Sequence, residues 1–270
     1  MTKSHPRRKE EQPAEGMRPR PGGRILSEPD AAGHVREMFS RIAPRYDLLN
    51  HLLSFSLDRV WRWRVARRFG ELLSRDGSRV VDLCCGTGDL ALALARQSRG
   101  GLSRDCPAQI FACDFAPPML ALAAEKTWRR GARIHLAHAD ALELPFPDGQ
   151  FDLAVSAFGF RNLANYERGV REIFRVLKPG GWAAILEFSL PPNRLWRSLF
   201  GLYFRHILPR VGTAISGVVG PYQYLPDSVY VFPLREELVR LFESAGFVEA
   251  SFEEWTGGIV ALHTARRRPV

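Results

Sequence analysis

The sequence predicts an α/β fold: a doubly wound, mostly parallel sheet of seven strands, with helices in front of it and a helical insertion before the last two strands. Three observations carry this. From residue 79 onward, short β-branched runs alternate with segments of helical periodicity. The first run ends in a glycine turn that opens a helix. Before residue 79 the only strong pattern is helical, with Val35, Met38, Phe39 and Ile42 followed by Leu48, Leu49, Leu52 and Leu53.

Taken in order, residues 1–30 are polar and rich in Pro and Gly and read as a disordered basic tail. Residues 31–270 form one domain. Its first part, 31–76, holds two or three helices, with Pro44 breaking the first from the second. RVVDLCC (79–85) is a buried strand and LALALARQS (90–98) its helix. QIFACDF (109–115), RIHLAHAD (133–140), FDLAVSAFG (151–159) and WAAILEFS (182–189) follow as strands. The helices between them include PPMLALAAEKTWRR, opened by prolines, and YERGVREIFRVLK, closed by Pro179-Gly180-Gly181. Residues 190–228 interrupt the alternation and read as a helical insertion or substrate lid. LREELVRLFESAG is the last helix, and FVEASFEEW and IVALHTARR form a closing antiparallel hairpin.

Charge and cysteine usage narrow the classes. The net charge of +9 sits mostly at the ends: residues 1–27 hold seven basic and three acidic side chains, and Arg266, Arg267 and Arg268 close the chain. The near-neutral body does not resemble a nucleic-acid surface, so no nucleic-acid partner is expected. Cys84, Cys85, Cys106 and Cys113 make no C-x-x-C pair and no zinc spacing, so no metal site is expected. No apolar run reaches the length of a membrane span, and the tail has no secretory pattern, which makes the cytoplasm the default compartment.

Chemistry concentrates at the first strand–helix join, Asp82-Leu83-Cys84-Cys85-Gly86-Thr87-Gly88-Asp89. Ligands of open α/β sheets bind at the carboxyl ends of strands, and Gly86 and Gly88 allow close backbone approach there. The acids Asp82 and Asp89 suit a cationic sulfonium cofactor better than a pyrophosphate, which would compete with Asp89 for the helix amides. The loop thus has the form D-x-x-x-G-x-G found in S-adenosyl-L-methionine methyltransferases. Asp114, ending the second strand, can accept ribose hydroxyls. Asp140 and Ala141, ending the third, can read an adenine edge.

The chain resembles the ubiquinone/menaquinone biosynthesis C-methyltransferases from about Val35 to His263. The matching stretches are MFSRIAPRYDLLNHLLSFSLDRVWR, DLCCGTGD, ADALELPFPDGQFD, FGFRN (158–162), RVLKPGG, LEFS, HILPRVG, YQYLPDSV and GGIVALH. The resemblance implies the class I S-adenosylmethionine methyltransferase fold and transfer of methyl to a ring carbon of a polyprenylated benzoquinol or naphthoquinol, demethylmenaquinol foremost. It also implies cofactor contacts at Thr87, Asp114, Asp140 and Ala141. Two positions depart from the pattern: Cys85 stands where a glycine is usual, and Ala157 where a serine is usual, with Ser156 one place earlier.

Such a reaction needs a phenolate-like ring and a dry site. Arg161 and Asn162, just past the fourth strand, are expected to hold and polarise the quinol oxygen, and His206 is the candidate base. Tyr222 and Tyr224 are as suited to packing as to substrate contact. A lipid-tailed substrate implies peripheral contact with the inner face of a membrane, for which RLWRSLFGLYFRHILPRVG (194–212) has the composition. A homodimer stays open. Rival readings are an N- or O-methyltransferase on a small molecule or nucleic acid, a nicotinamide oxidoreductase, and a non-catalytic lipid-binding or scaffold subunit.

Overall fold

The computed structural model describes residues 18–19, 25–26, 28–43, 46–99, 108–216 and 221–269. Seven strands form one sheet: β1 (Arg79–Leu83), β2 (Gln109–Asp114), β3 (Ile134–His138), β4 (Phe151–Ala157), β5 (Leu177–Phe188), β6 (Phe247–Trp255) and β7 (Val260–Arg267). Their order is β3-β2-β1-β4-β5-β7-β6. The first five pair in parallel, while β7 runs antiparallel to both β5 and β6. The strand order reverses at β1, where two neighbours leave in opposite directions and open a crevice at the carboxyl ends.

The helices are α1 (Glu28–Ile42), α2 (Tyr46–Leu53), α3 (Leu57–Arg68), α4 (Gly70–Leu73), α5 (Asp89–Arg99), α6 (Pro117–Arg129), α7 (Tyr166–Val176), α8 (Arg194–Leu202), α9 (Leu208–Ser216), α10 (Pro221–Val231) and α11 (Arg235–Ser244). Both faces of the sheet are covered, as parallel strands require. One core packs Leu83, Phe151, Phe160, Ile173 and Phe242 together under α7 and α11. The other packs Val80, Leu94 and Ile110 with Trp61 and Val65 of α3. A smaller cluster, Phe200, Phe204, Leu208 and Val229, seats the insertion against Phe188 and Ile259.

The closing hairpin and the strand–helix alternation agree with the sequence reading. Two boundaries differ. Helix α1 begins at Glu28, inside the stretch read as tail, and Arg18–Pro19 pairs with Ile25–Leu26; the rest of the stretch read as tail lies outside the described residues. Strand β5 begins at Leu177, not at Trp182. Against β4 its register jumps from Phe151↔Leu177 to Leu153↔Trp182, so Lys178–Gly181 bulges out of the ladder. Gly180 has φ +79°, and a Cβ on Gly181 would sit 2.9 Å from Lys178 O, which is why glycines stand there.

Candidate active site

Two cavities meet above the carboxyl end of β1 and β4. The first, about 60 Å³, is lined by Cys84, Gly86, Cys113, Asp114, Asp140, Ala141, Gly159 and Asn162, among others. The second, about 370 Å³, is walled largely by aromatic and aliphatic side chains, with Asn50, Ser54, Asp58, Arg62, Arg161 and Thr256 among its polar members. Phe39 and Phe158 line both.

The junction is conformationally tight. Cys84 and Phe158 are non-glycine residues at positive φ, 53° and 61°. A Cβ on Gly159 would lie 2.4 Å from Cys84 Cβ and 2.9 Å from Cys84 O. The glycine of the FGFRN stretch is therefore imposed by the approach of the β4 end to the β1 loop, which closes one cavity against the other.

In the smaller cavity Asp114 is buried and its oxygens are aimed by the backbone. Oδ2 accepts from Gly86 N at 2.8 Å and Oδ1 from Ala116 N at 2.9 Å. Burial outweighs those bonds and raises its pKa. Asp140 Oδ1 accepts from Leu142 N at 2.9 Å, which fixes the turn after β3 and presents Ala141. Asp82, in the core of β1, is fully buried and lines neither cavity; its carboxylate is met by the Ala91 backbone N–H and feels the Arg62 charge. Burial pushes its pKa up to about 8.

This donor set fits the expected nucleoside. Asp114 keeps lone pairs for ribose hydroxyls, and Asp140 and Ala141 line the same cavity. Thr87 and Asp89 are differently placed from the sequence reading. Thr87 Oγ1 donates to Asp47 Oδ1 at 2.5 Å and accepts from Lys126 Nζ at 2.9 Å. Lys126 also pairs with Asp89 and Asp47 at 2.6 Å each. The Asp89 charge is thus met by Lys126, and the cluster ties α2 to the loop. Gly88, at φ +83°, allows α6 to come close, with Ala123 Cβ 3.3 Å from the space of a missing Cβ. Ser156 is buried on β4, its hydroxyl has no hydrogen-bond partner among the described residues, and it lines neither cavity.

The larger cavity receives Arg161. It is buried, pairs with Glu187 Oε1 of β5 at 2.9 Å, donates from Nε to Ser228 Oγ at 3.2 Å and bonds Phe158 O. Its guanidinium carbon lies 5.6 Å from the centre of the Phe188 ring. Asn162 Oδ1 accepts from Tyr224 OH at 3.1 Å, so the insertion reaches back to the FGFRN turn. The side chain of Tyr222 lies outside the described residues. His206 is exposed, on a π turn (Tyr203–Ile207), and lines neither cavity. The base is therefore not to be sought there. Sequence reasoning missed Glu187, Ser228, and the Asp58–Arg62 pair of α3, which lines the same cavity. The signal for the last was an Asp and an Arg four apart in the quoted SFSLDRVWR stretch.

Known proteins resemble this chain in sequence and in fold. A protein from Thermus thermophilus named demethylmenaquinone methyltransferase is 47% identical over 85% of this chain and 100% of its own length. One from Geobacter sulfurreducens, named ubiquinone/menaquinone biosynthesis C-methyltransferase UbiE, is 42% identical over 86% of this chain and 88% of its own. Among solved structures, a possible histamine N-methyltransferase from Thermotoga maritima superposes with TM-score 0.56 at 18% identity, over 86% of this chain and 99% of that one. The [4+2]-cyclase SpnF gives 0.61 at 20%, over 87% and 96%. At such identities these two show only a shared fold. The model of the ubiE/COQ5 methyltransferase family matches residues 28–267, and the chain belongs to that family.

Proposed function

We propose that this methyltransferase transfers the methyl group of S-adenosyl-L-methionine to a ring carbon of a polyprenylated quinol, with demethylmenaquinol the first choice and a methoxy-polyprenyl-benzoquinol the second. The carrying observation is the pairing of cavities: an acid-lined slot opens beside a large apolar chamber across Phe158, and the chamber wall holds a buried guanidinium. Asp82, Asp114, Asp140 and Ala141 would hold the cofactor, which supplies a methyl on a positively charged sulfur.

The residues of this chain then have three tasks. Trp61, Phe158, Phe188 and Phe204 pack on one another, contacting ring centres lying 4.8–6.4 Å apart, and present one aromatic wall of the chamber to a flat ring. Trp61 is oriented by its indole N–H on Thr256 Oγ1 at 2.9 Å. Holding ring carbon and methyl in line can supply ~7–11 kcal/mol of the barrier. Arg161, anchored by Glu187, favours the deprotonated form of the ring hydroxyl next to the reacting carbon, and Asn162 steadies that turn. Water exclusion by this aromatic wall would favour a reaction in which opposite charges cancel.

A lipid surface is the natural source of the substrate. No helix among the described residues is long and apolar enough to cross a membrane. Instead Leu195, Leu199 and Leu202 of α8 and Ile207 after it are exposed among Arg194, Arg197 and Arg205, as on an interfacial helix. Leu199 also lines the chamber, so the chamber adjoins this apolar face.

The test is incubation with methyl-labelled S-adenosylmethionine and two reduced acceptors, a demethylnaphthoquinol and a methoxy-benzoquinol, each short-chained, followed by mass spectrometry. Label on a ring carbon is expected for the naphthoquinol. Label on neither, with the cofactor bound, would return the acceptor to the N- or O-methyltransferase alternatives.

A further inference from the structure

The chamber contains a second buried ion pair whose place in the reaction is unassigned. Asp58 and Arg62 stand one turn apart on α3, are 3% and 7% exposed, and both line the cavity. Arg62 Nη1 donates to Asp58 Oδ2. His51 Nδ1 lies 2.9 Å from Oδ2 and 3.1 Å from Oδ1, and Ser54 Oγ donates to Oδ1 at 2.8 Å. Burial works to raise the Asp58 pKa, but Arg62, Ser54 and His51 outweigh it and the pKa falls below the ordinary value. An ionised carboxylate is thus held in the wall of an apolar chamber.

Such a group has about four lone-pair sites and no proton to give. Three side chains among the described residues already donate to it. What it can still take from the chamber is another donor. The two oxidation states of the substrate ring differ in this respect. A quinol presents two hydroxyl donors; a quinone presents two carbonyl acceptors. A carbonyl set against a carboxylate brings lone pairs together, and a buried polar group left unmatched costs far more than a matched one gains.

We propose that Asp58, held in place by Arg62, His51 and Ser54, accepts a hydrogen bond from the second ring hydroxyl and thereby admits the reduced ring in preference to the oxidised one. This rests on the quinol reading of the chamber and adds the residue that tells reduced from oxidised. The hydroxyl at Asp58 keeps its proton and remains a donor. The selection has chemical value. Only the reduced ring has a carbon electron-rich enough to take a methyl cation equivalent, so a bound quinone would block the site without reacting.

The test is binding calorimetry on the full chain under anaerobic conditions with saturating S-adenosylhomocysteine. The ligands are a short-chain 2-prenyl-1,4-naphthoquinol, its quinone, and the two mono-O-methyl ethers of the quinol. The unaltered protein should bind the quinol about tenfold or more tighter than the quinone, the scale of one hydrogen bond to a charged group. One ether should behave as the quinone does and the other as the quinol. Asp58→Asn should bring quinol and quinone within about threefold, because an amide can donate as well as accept. Should that variant not fold, the ether comparison on the unaltered protein decides alone. Equal affinity for quinol and quinone, or for both ethers and the quinol, would overturn the proposal while leaving the quinol reading intact. Binding of neither ring would overturn both.

Discussion

The two cavities that meet at Phe158 are built by opposite means. The cofactor slot is made of strand ends: Cys84 and Gly86 follow β1, Cys113 and Asp114 end β2, Asp140 lies just past β3, and backbone amides aim both carboxylates, while Asp82 of β1 lies outside the lining. The substrate chamber is made of side chains from distant segments: α1 to α3, β4–β5, the insertion, and the turn after β6. In the slot, therefore, the fold itself sets the geometry. In the chamber, geometry depends on buried ion pairs that lock helices to the sheet. Mutations should separate the two, with the largest losses where a chamber ion pair is cut.

Glu187→Gln should be the most damaging. Glu187 is fully buried and also accepts from the Arg161 backbone N–H at 3.1 Å, so the change leaves the Arg161 guanidinium without its counter-charge. Breaking a buried pair from one side costs about 3–5 kcal/mol. Denaturant unfolding should show a loss of this size, with cofactor affinity in the surviving folded fraction little changed. Equal loss of cofactor affinity would mean that the two cavities are not separable.

Gly159→Ala should strike the junction and so spoil both. The new methyl group would meet Cys84 Cβ at 2.4 Å. Overpacking of this kind costs about 1–3 kcal/mol, and a shift near 1 Å in reacting geometry costs about 10²-fold in rate. Steady-state kinetics should show kcat falling by about that factor and weaker cofactor binding together. A rate within twofold of the parent would show that the β1 loop yields without consequence.

The same division explains what was legible from sequence. Gly86, Asp114, Asp140 and Ala141, which line the slot, are the residues that one local rule singles out, that ligands sit at the ends of parallel strands, and the alternation of runs locates those ends. The chamber offers no such rule. Asp58 and Arg62 look like an ordinary i,i+4 surface pair until α3 packs on α5 and buries them. Glu187 sits in a buried run, AAILEF, where an acid is unusual, but nothing local says that its partner is Arg161. His206 was misplaced for a physical reason: Phe200, Phe204 and Leu208 form the buried stripe at intervals of four, and His206 falls midway between the last two, on the outer face.

The smallest expected effect is the one that sharpens the slot. Burial lifts the Asp82 carboxyl from 3.8 to about 8, so in the empty folded protein it stays protonated where the unfolded chain has lost its proton. Stability from this group is therefore greatest at acid pH and declines as pH rises from about 4 toward 8. Asp82→Asn removes the difference and should raise the melting temperature of the cofactor-free protein at pH 8, with the gain vanishing toward pH 4. Binding of a cationic ligand runs the other way, since it needs the carboxylate: cofactor affinity of the parent should increase between pH 6 and 8 and that of Asp82→Asn should not, being about tenfold weaker at the upper end. A parent affinity that is flat across this range would show that the buried acid is a structural element of β1 and takes no cation.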